Sequence, residues 1–183
     1  MLRRADLVEV FGKHGIALAS RDQVAPHRFP DAVRRTLTEV GVPMYCRSAV
    51  YAGLVEDPFA TYAAWCADHG APCSAAAGRT LRIGYWRAGS VCLVPDDGRV
   101  LYISPYETDE ITPMNSSVEQ FGACMLIAHR DAQKCDFLPT RAALAERERI
   151  VQRLLAVDPD AVGPPHSVWR IIVDEVTGEE YRP

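Results

Sequence analysis

Lysine is scarce in this chain: Lys13 and Lys134 are the only two, and Asp plus Glu (24) outnumber Lys plus Arg (20), for a net charge of -4. A nucleic-acid backbone is gripped by a clustered positive surface, so that role is not expected. Single-stranded RNA readers add exposed aromatics to such charge, yet aromatics make up only 8% of the residues. The one stretch that could be argued that way is Tyr85-Trp86-Arg87 with Tyr102. Long apolar runs are missing too. None approaches the roughly 18 residues of a membrane-spanning helix. Arg3 and Arg4 are followed by Asp6, Glu9 and Lys13 rather than by an apolar segment, so no signal peptide is expected. The expected location is therefore the cytoplasm, where the six cysteines are expected to stay reduced. Complete catalytic or phosphate-binding signatures are absent as well. There is no G-x-S-x-G, no H-E-x-x-H, no H-x-E with P-C-x-x-C and no G-x-x-x-x-G-K-[ST].

What is present is ordinary globular material, 48% hydrophobic and 24% charged, in a length that fits one domain over residues 1–183. Ala5 to His14 has a short helical pattern that Gly15 ends, and Arg21 to Pro30 reads as loop. Asp31 to Val40 fits a helix with Asp31 as its cap, stopped by Gly41-Val42-Pro43. Phe59 to Cys66 suits a strand or a short helix, and Gly70 to Gly78 reads as loop. Thr80 to Trp86 alternates, Gly89-Ser90 turns, Val91 to Val94 is a buried strand, Pro95 to Arg99 turns again, and Val100 to Ser104 is a third strand. A helix is expected from near Asn115, with Ser116 and Glu119 spaced as a capping box and Val118, Phe121, Met125 and Ala128 as its stripe. A second follows over Arg141 to Val157, with Leu144, Ile150, Val151, Leu154 and Leu155 inward. Ser167 then caps a third over Val168 to Val176. Helices, an antiparallel meander, then helices give an α+β fold with a central antiparallel sheet flanked by helices.

Cys66, His69 and Cys73 are spaced C-x2-H-x3-C, able in principle to hold zinc, but a structural site needs four ligands. Cys46 or Cys92 would have to be recruited, so no metal and no cofactor are expected. Cys124, His129 and Cys135 form a looser set on the expected helix, where positions five apart share a face poorly. Acidic residues gather at Asp96-Asp97 and at Glu107, Asp109 and Glu110, with Glu119 nearby in sequence. Turn formation and helix-dipole complementarity explain such residues. An acidic rim facing a basic partner is the functional alternative.

Leu81-Arg82-Ile83-Gly84, Val91 to Val94, Asp97-Gly98, Val100, and then Asn115-Ser116-Ser117-Val118-Glu119-Gln120-Phe121 with Cys124 close behind resemble the core of the SUKH superfamily. The likeness is greatest to its fourth immunity group. Trp169, Glu175 and Gly178 suit that group's C-terminal pattern. The resemblance implies a Smi-Knr-type fold and a non-enzymatic immunity protein. Such a protein binds and neutralises a cognate polymorphic toxin domain, of nuclease or deaminase type, in a stoichiometric complex. The expected partner is that toxin domain, with the chain itself a monomer or weak homo-oligomer. The binding face is expected at Tyr85, Trp86, Asp96, Asp97, Tyr106, Glu107, Asp109 and Glu110. A scaffold or regulatory protein of the same fold is the second reading. A thiol- or zinc-dependent enzyme built on Cys66, His69 and Cys73 is the third.

Overall fold

Alternation along Leu81 to Trp86, shifted once by a bulge between Arg82 and Gly84, sends side chains to both faces of a sheet, and the rest of the architecture follows from how those two faces are covered. The computed structural model describes residues 1–47, 49–52, 59–106, 111–136 and 138–177. In chain order its elements begin with α1 (Arg4–Phe11), β1 (Ile16–Ala17), α2 (Arg21–Val24) and α3 (Asp31–Arg35), which runs on as a π-helical turn over Thr36–Val40. Next come β2 (Val42–Pro43), β3 (Tyr45–Cys46), β4 (Val50–Ala52), α4 (Tyr62–His69) and α5 (Ala75–Gly78). The meander follows as β5 (Leu81–Trp86), β6 (Gly89–Leu93), β7 (Val100–Ile103) and β8 (Ile111–Asn115). The chain then turns helical in α6 (Val118–Cys135), α7 (Thr140–Val157), α8 (Pro159–Val162) and α9 (Val168–Val176).

β3 to β8 form one antiparallel sheet in sequence order, and β1 pairs with β2 in a small second sheet. The expected three-stranded meander is therefore the middle of a larger sheet. β8 was concealed by Pro113, which weakens any strand pattern. It is tolerated here because β8 is an edge, where a missing N–H breaks no ladder. The β5–β6 turn is Arg87-Ala88, not Gly89-Ser90. Gly89 belongs to β6 because the Tyr102 ring lies over it, and a Cβ there would fall 2.3 Å from that ring. Arg87 takes a positive φ of 51°, a costly conformation for a side-chain-bearing residue. Its guanidinium is held on Glu175, with Nε to Oε1 at 2.5 Å, and stacks on the Trp86 ring.

One sheet face packs on the helical layer. Val91, Leu93, Val100 and Met114 join Phe121, Met125, Ile150, Leu154, Trp169 and Ile172 in the main core. Leu144 was expected inward but is 45% exposed; Ile150, Val151 and Leu154 carry the contact. Asp31 sits in the first turn of α3, with Pro30 at the cap, while Arg21–Val24 and Ala75–Gly78, expected as loops, each form one helical turn capped by a serine.

The junction of β8 and α6 is held by a buried carboxylate. The side chain of Asp158 accepts Asn115 Nδ2 at 3.0 Å, Ser116 N at 2.8 Å and Ser116 Oγ at 2.8 Å, and it caps α8 through Ala161 N at 3.4 Å. Asn115 Oδ1 in turn accepts the indole N–H of Trp169 at 2.9 Å. Ser116 is thus committed to Asp158, and the cap of α6 is Ser117, which accepts Gln120 N at 3.2 Å. Glu119 points elsewhere and accepts Leu2 N at 2.8 Å. The expected box of Ser116 with Glu119 is replaced because a buried Asp158 offers Ser116 two charge-assisted bonds.

Asp158→Ala strands Asn115 Nδ2 in the core and removes the acceptor of Ser116 N and Oγ at its margin. It is expected to lower unfolding stability by about 3 kcal/mol, against about 1 kcal/mol for Asp158→Asn, in urea titrations. A change under about 0.5 kcal/mol for the alanine variant would remove this junction from its central role.

Candidate partner-binding face

Residues paired across an antiparallel sheet point to the same side. The register therefore draws one row over the outer face: Tyr45, Tyr51, Tyr85, Ser90, Ile103 and Ile111. Half of it is covered. Tyr62 and Cys66 of α4 and Ala77 of α5 pack on Cys92 and Ile103, with Ile111 and Trp65 at the margin. The other half is open. Tyr51 and Tyr85 are 39% and 44% exposed, and their rings stack with centroids 5.1 Å apart. Tyr45 continues the row at the sheet edge, its ring held edge-on to Phe11 and His129. Where the two halves meet, Arg82 donates to Ser90 Oγ at 3.1 Å and lies over the Trp65 ring, 5.4 Å from its centroid.

Two stacked tyrosines beside a tryptophan–arginine pair are the residue types that dominate protein interfaces, because they bring large rigid area with little side-chain entropy to lose. β3 and β4 were not legible in the sequence. Strands of two and three residues are too short to show a period, so Tyr45 and Tyr51 carried no signal.

Of the residues expected to form the face, the described ones do not all sit together. Tyr85 is on it. Trp86 is 3% exposed, T-shaped on Tyr102, and its indole donates to Glu175 at 2.7 Å, so it belongs to the core. Asp96 and Asp97 are exposed in the β6–β7 turn, where Asp97 accepts Arg99 N at 2.9 Å and Arg99 Nε at 2.7 Å, a turn-forming role. That turn lies at the Leu93–Val100 end of the strands, whereas Ile103 and Ile111 lie at the Tyr85 end. Tyr106, 82% exposed, follows β7 just past Ile103. The two ends are separated by the length of β7, roughly 10 Å at about 3.4 Å per residue. Glu107, Asp109, Glu110 and Gly178 lie outside the described residues.

The side chains of the cysteine and histidine sets are engaged in other contacts. His69 stacks on Trp65 and bonds its carbonyl through Nδ1 at 2.9 Å, whereas the Cys66 thiol turns inward and donates to Pro72 O at 3.6 Å. Among the described residues, no three His, Cys, Asp or Glu side chains are gathered as ligands. Burial pushes the thiols of Cys46, Cys92 and Cys124 up to about 12, which keeps them protonated and inert. Asp131 is fully buried. Burial would raise its pKa, but hydrogen bonds from Arg130 and Lys134, with the Arg153 ion pair, hold it below the ordinary carboxylate value. A cleft of about 250 Å³ opens between Ala49, Arg87, Glu175 and Val176, small for an organic ligand and lined by an ion pair already closed.

His129 anchors the edge beneath Tyr45. Its Nδ1 accepts Arg47 N at 3.0 Å, which leaves the proton of the neutral ring on Nε2. Burial, with the Arg47 charge added, lowers its pKa from 6.5.

The structure is an α+β fold whose helical layer seals one face of the sheet and whose α4–α5 segment covers half of the other. The family comparison is more particular. The model of the SUKH-4 immunity protein family matches residues 2–175. The chain belongs to the SUKH-4 immunity protein family. No curated protein and no solved structure is found to match it. Among the described residues, no helix is long and apolar enough to cross a membrane.

A depressed histidine pKa stabilises the fold fully above the unfolded value and loses that contribution as pH falls below 6.5 toward the folded pKa. Unfolding midpoints should therefore drop below pH 6.5, and His129→Gln should flatten part of that limb. A ring titration of His129 by NMR at or above 6.5 would refute the assignment.

Proposed function

We propose that the protein is the immunity partner of a polymorphic toxin domain and neutralises it by stoichiometric binding in the cytoplasm. The family membership carries this reading. The outer-face tyrosines supply its physical side: a tight inhibitor needs a few desolvated anchors inside an interface of ordinary size. Tyr51 and Tyr85 act as those anchors, and Arg82 and Trp65 form the adjoining border. Tyr106 extends the contact area, and the acidic residues that follow it in sequence, Glu107, Asp109 and Glu110, supply the charge that meets a basic toxin. Nuclease and deaminase toxins act on an anionic substrate and so present basic surfaces, for which a chain of net charge -4 is a suitable match. The Asp96–Asp97 turn lies away from this face and contributes little.

Co-expression with the toxin domain encoded beside it is expected to restore growth and yield a one-to-one complex. No rescue and no complex with any neighbouring toxin would overturn the immunity reading. Within such a complex, the double variant Tyr51→Ala, Tyr85→Ala should weaken binding by about 30-fold or more at unchanged fold, which corresponds to about 2 kcal/mol. Lysine substitution at Asp109 and Glu110 should slow association. The same change at Asp96 and Asp97 should leave affinity within about threefold, and a reversed ranking would move the interface to the other end of the sheet.

A further inference from the structure

We propose that Cys66 and Cys73 are a redox-controlled pair whose disulfide staples the loop after α4 onto that helix. The local chain path brings them together. Gly70 ends α4 in the left-handed region, with φ 62° and ψ 25°, and turns the backbone over the helix it has just left. Ala71 N then donates to Cys66 O at 2.9 Å, and the Cys66 thiol donates to Pro72 O at 3.6 Å, one residue before Cys73. Cys73 lies close enough to Cys66 to help raise the pKa of its thiol, and its own thiol donates to Ser74 O at 3.5 Å. The packing of α5 fixes Cys73 over α4: a Cβ on Gly78 would lie 3.1 Å from Cys73 Sγ and 3.2 Å from Ala63 Cβ, one turn before Cys66.

The pair is also asymmetric in the way a redox pair requires. Cys73 is exposed, whereas Cys66 is 2% exposed, and the other four cysteines are buried. Burial, with Cys73 beside it, pushes the Cys66 thiol up to about 11, so Cys66 does not react first. The oxidant is a hydroperoxide such as hydrogen peroxide. The Cys73 thiolate attacks one peroxide oxygen, the O–O bond breaks, and hydroxide leaves and takes up the thiol proton as water. The sulfur of Cys66 then attacks the sulfenic sulfur of Cys73. An S–S bond forms, the S–O bond breaks, and the Cys66 proton leaves with the hydroxyl as a second water. Two thiols are oxidised by two electrons and one peroxide is reduced.

The staple closes the margin of the α4–α5 cover. Trp65, which holds Arg82 at the border of the tyrosine face, immediately precedes Cys66. This inference stands on the geometry of α4 and its loop and does not depend on the partner.

The test uses the purified full chain, reduced and then exposed to hydrogen peroxide, with free thiols alkylated after unfolding. Trypsin cuts after Arg47 and Arg79, so Cys66 and Cys73 fall in one peptide, residues 48–79. That peptide should lose about 2 Da, take up no alkylating reagent, and recover both free thiols with dithiothreitol. Cys73→Ser and Cys66→Ser should each abolish the loss, and Cys92→Ser should not. A disulfide to Cys92 would appear as two joined peptides and overturn the pairing. So would two alkylated thiols in peptide 48–79, or sulfinic acid on Cys73 with Cys66 still alkylated.

Discussion

The carboxylate of Asp158, buried between the end of the sheet and the helical layer, is the contact on which the rest of this structure turns. It is held by N–H and O–H donors from Asn115, Ser116 and Ala161. Because a buried carboxylate is tolerated only with its lone pairs met, those donors have to converge at one point. That convergence sets where β8 stops, where α6 starts and how α8 turns. Through Asn115 it also sets where the Trp169 indole of α9 must lie. One group therefore fixes the relative placement of the last strand and three of the C-terminal helices.

With the helical layer so fixed, the outer side of the sheet is governed by a shorter piece of chain. The α4–α5 segment reaches over Cys92 and Ile103 and goes no farther, leaving the stacked Tyr51 and Tyr85 in solvent. An aromatic pair is a stable way to leave a sheet face open, since each ring shields part of the other and both hydroxyls can stay wet. The same pair is ready to be desolvated by a partner. Arg82 and Trp65 stand at the boundary, so covered and open halves are physically continuous. The chain belongs to an immunity protein family, and we propose this face as the ground for its protein partner.

Asn115-Ser116-Ser117 with Glu119 and Phe121, which carries most of the family resemblance, illustrates how far a sequence can be read. Its segment was legible as a helix start, and the helix is there. Its purpose was not, because Ser116 bonds Asp158, 42 residues away, and Asn115 bonds Trp169, 54 residues away. The acidic residues show the same limit. Asp96 and Asp97 are ten or so residues from Glu107 in the chain, yet an intervening strand carries their turn to the opposite end of the sheet from Ile103.

By itself the sequence determined the class of fold, the meander over β5 to β7, the long helices with their buried stripes, and the family. The fold class, meander and helices rest on local periodicity, turn chemistry and caps, all of which act within a few residues, and the family rests on the resemblance of the named motifs. Tertiary structure alone decided the rest. It added β3, β4 and β8, which are short or interrupted by proline and exist only because neighbouring strands complete their ladders. It buried Trp86 against Tyr102 and Glu175, and it brought Tyr51 onto Tyr85 across 34 residues of chain. Which apolar side chains end inside and which remain in solvent depends on what packs above them, and that information is spread over the whole chain rather than written beside each residue.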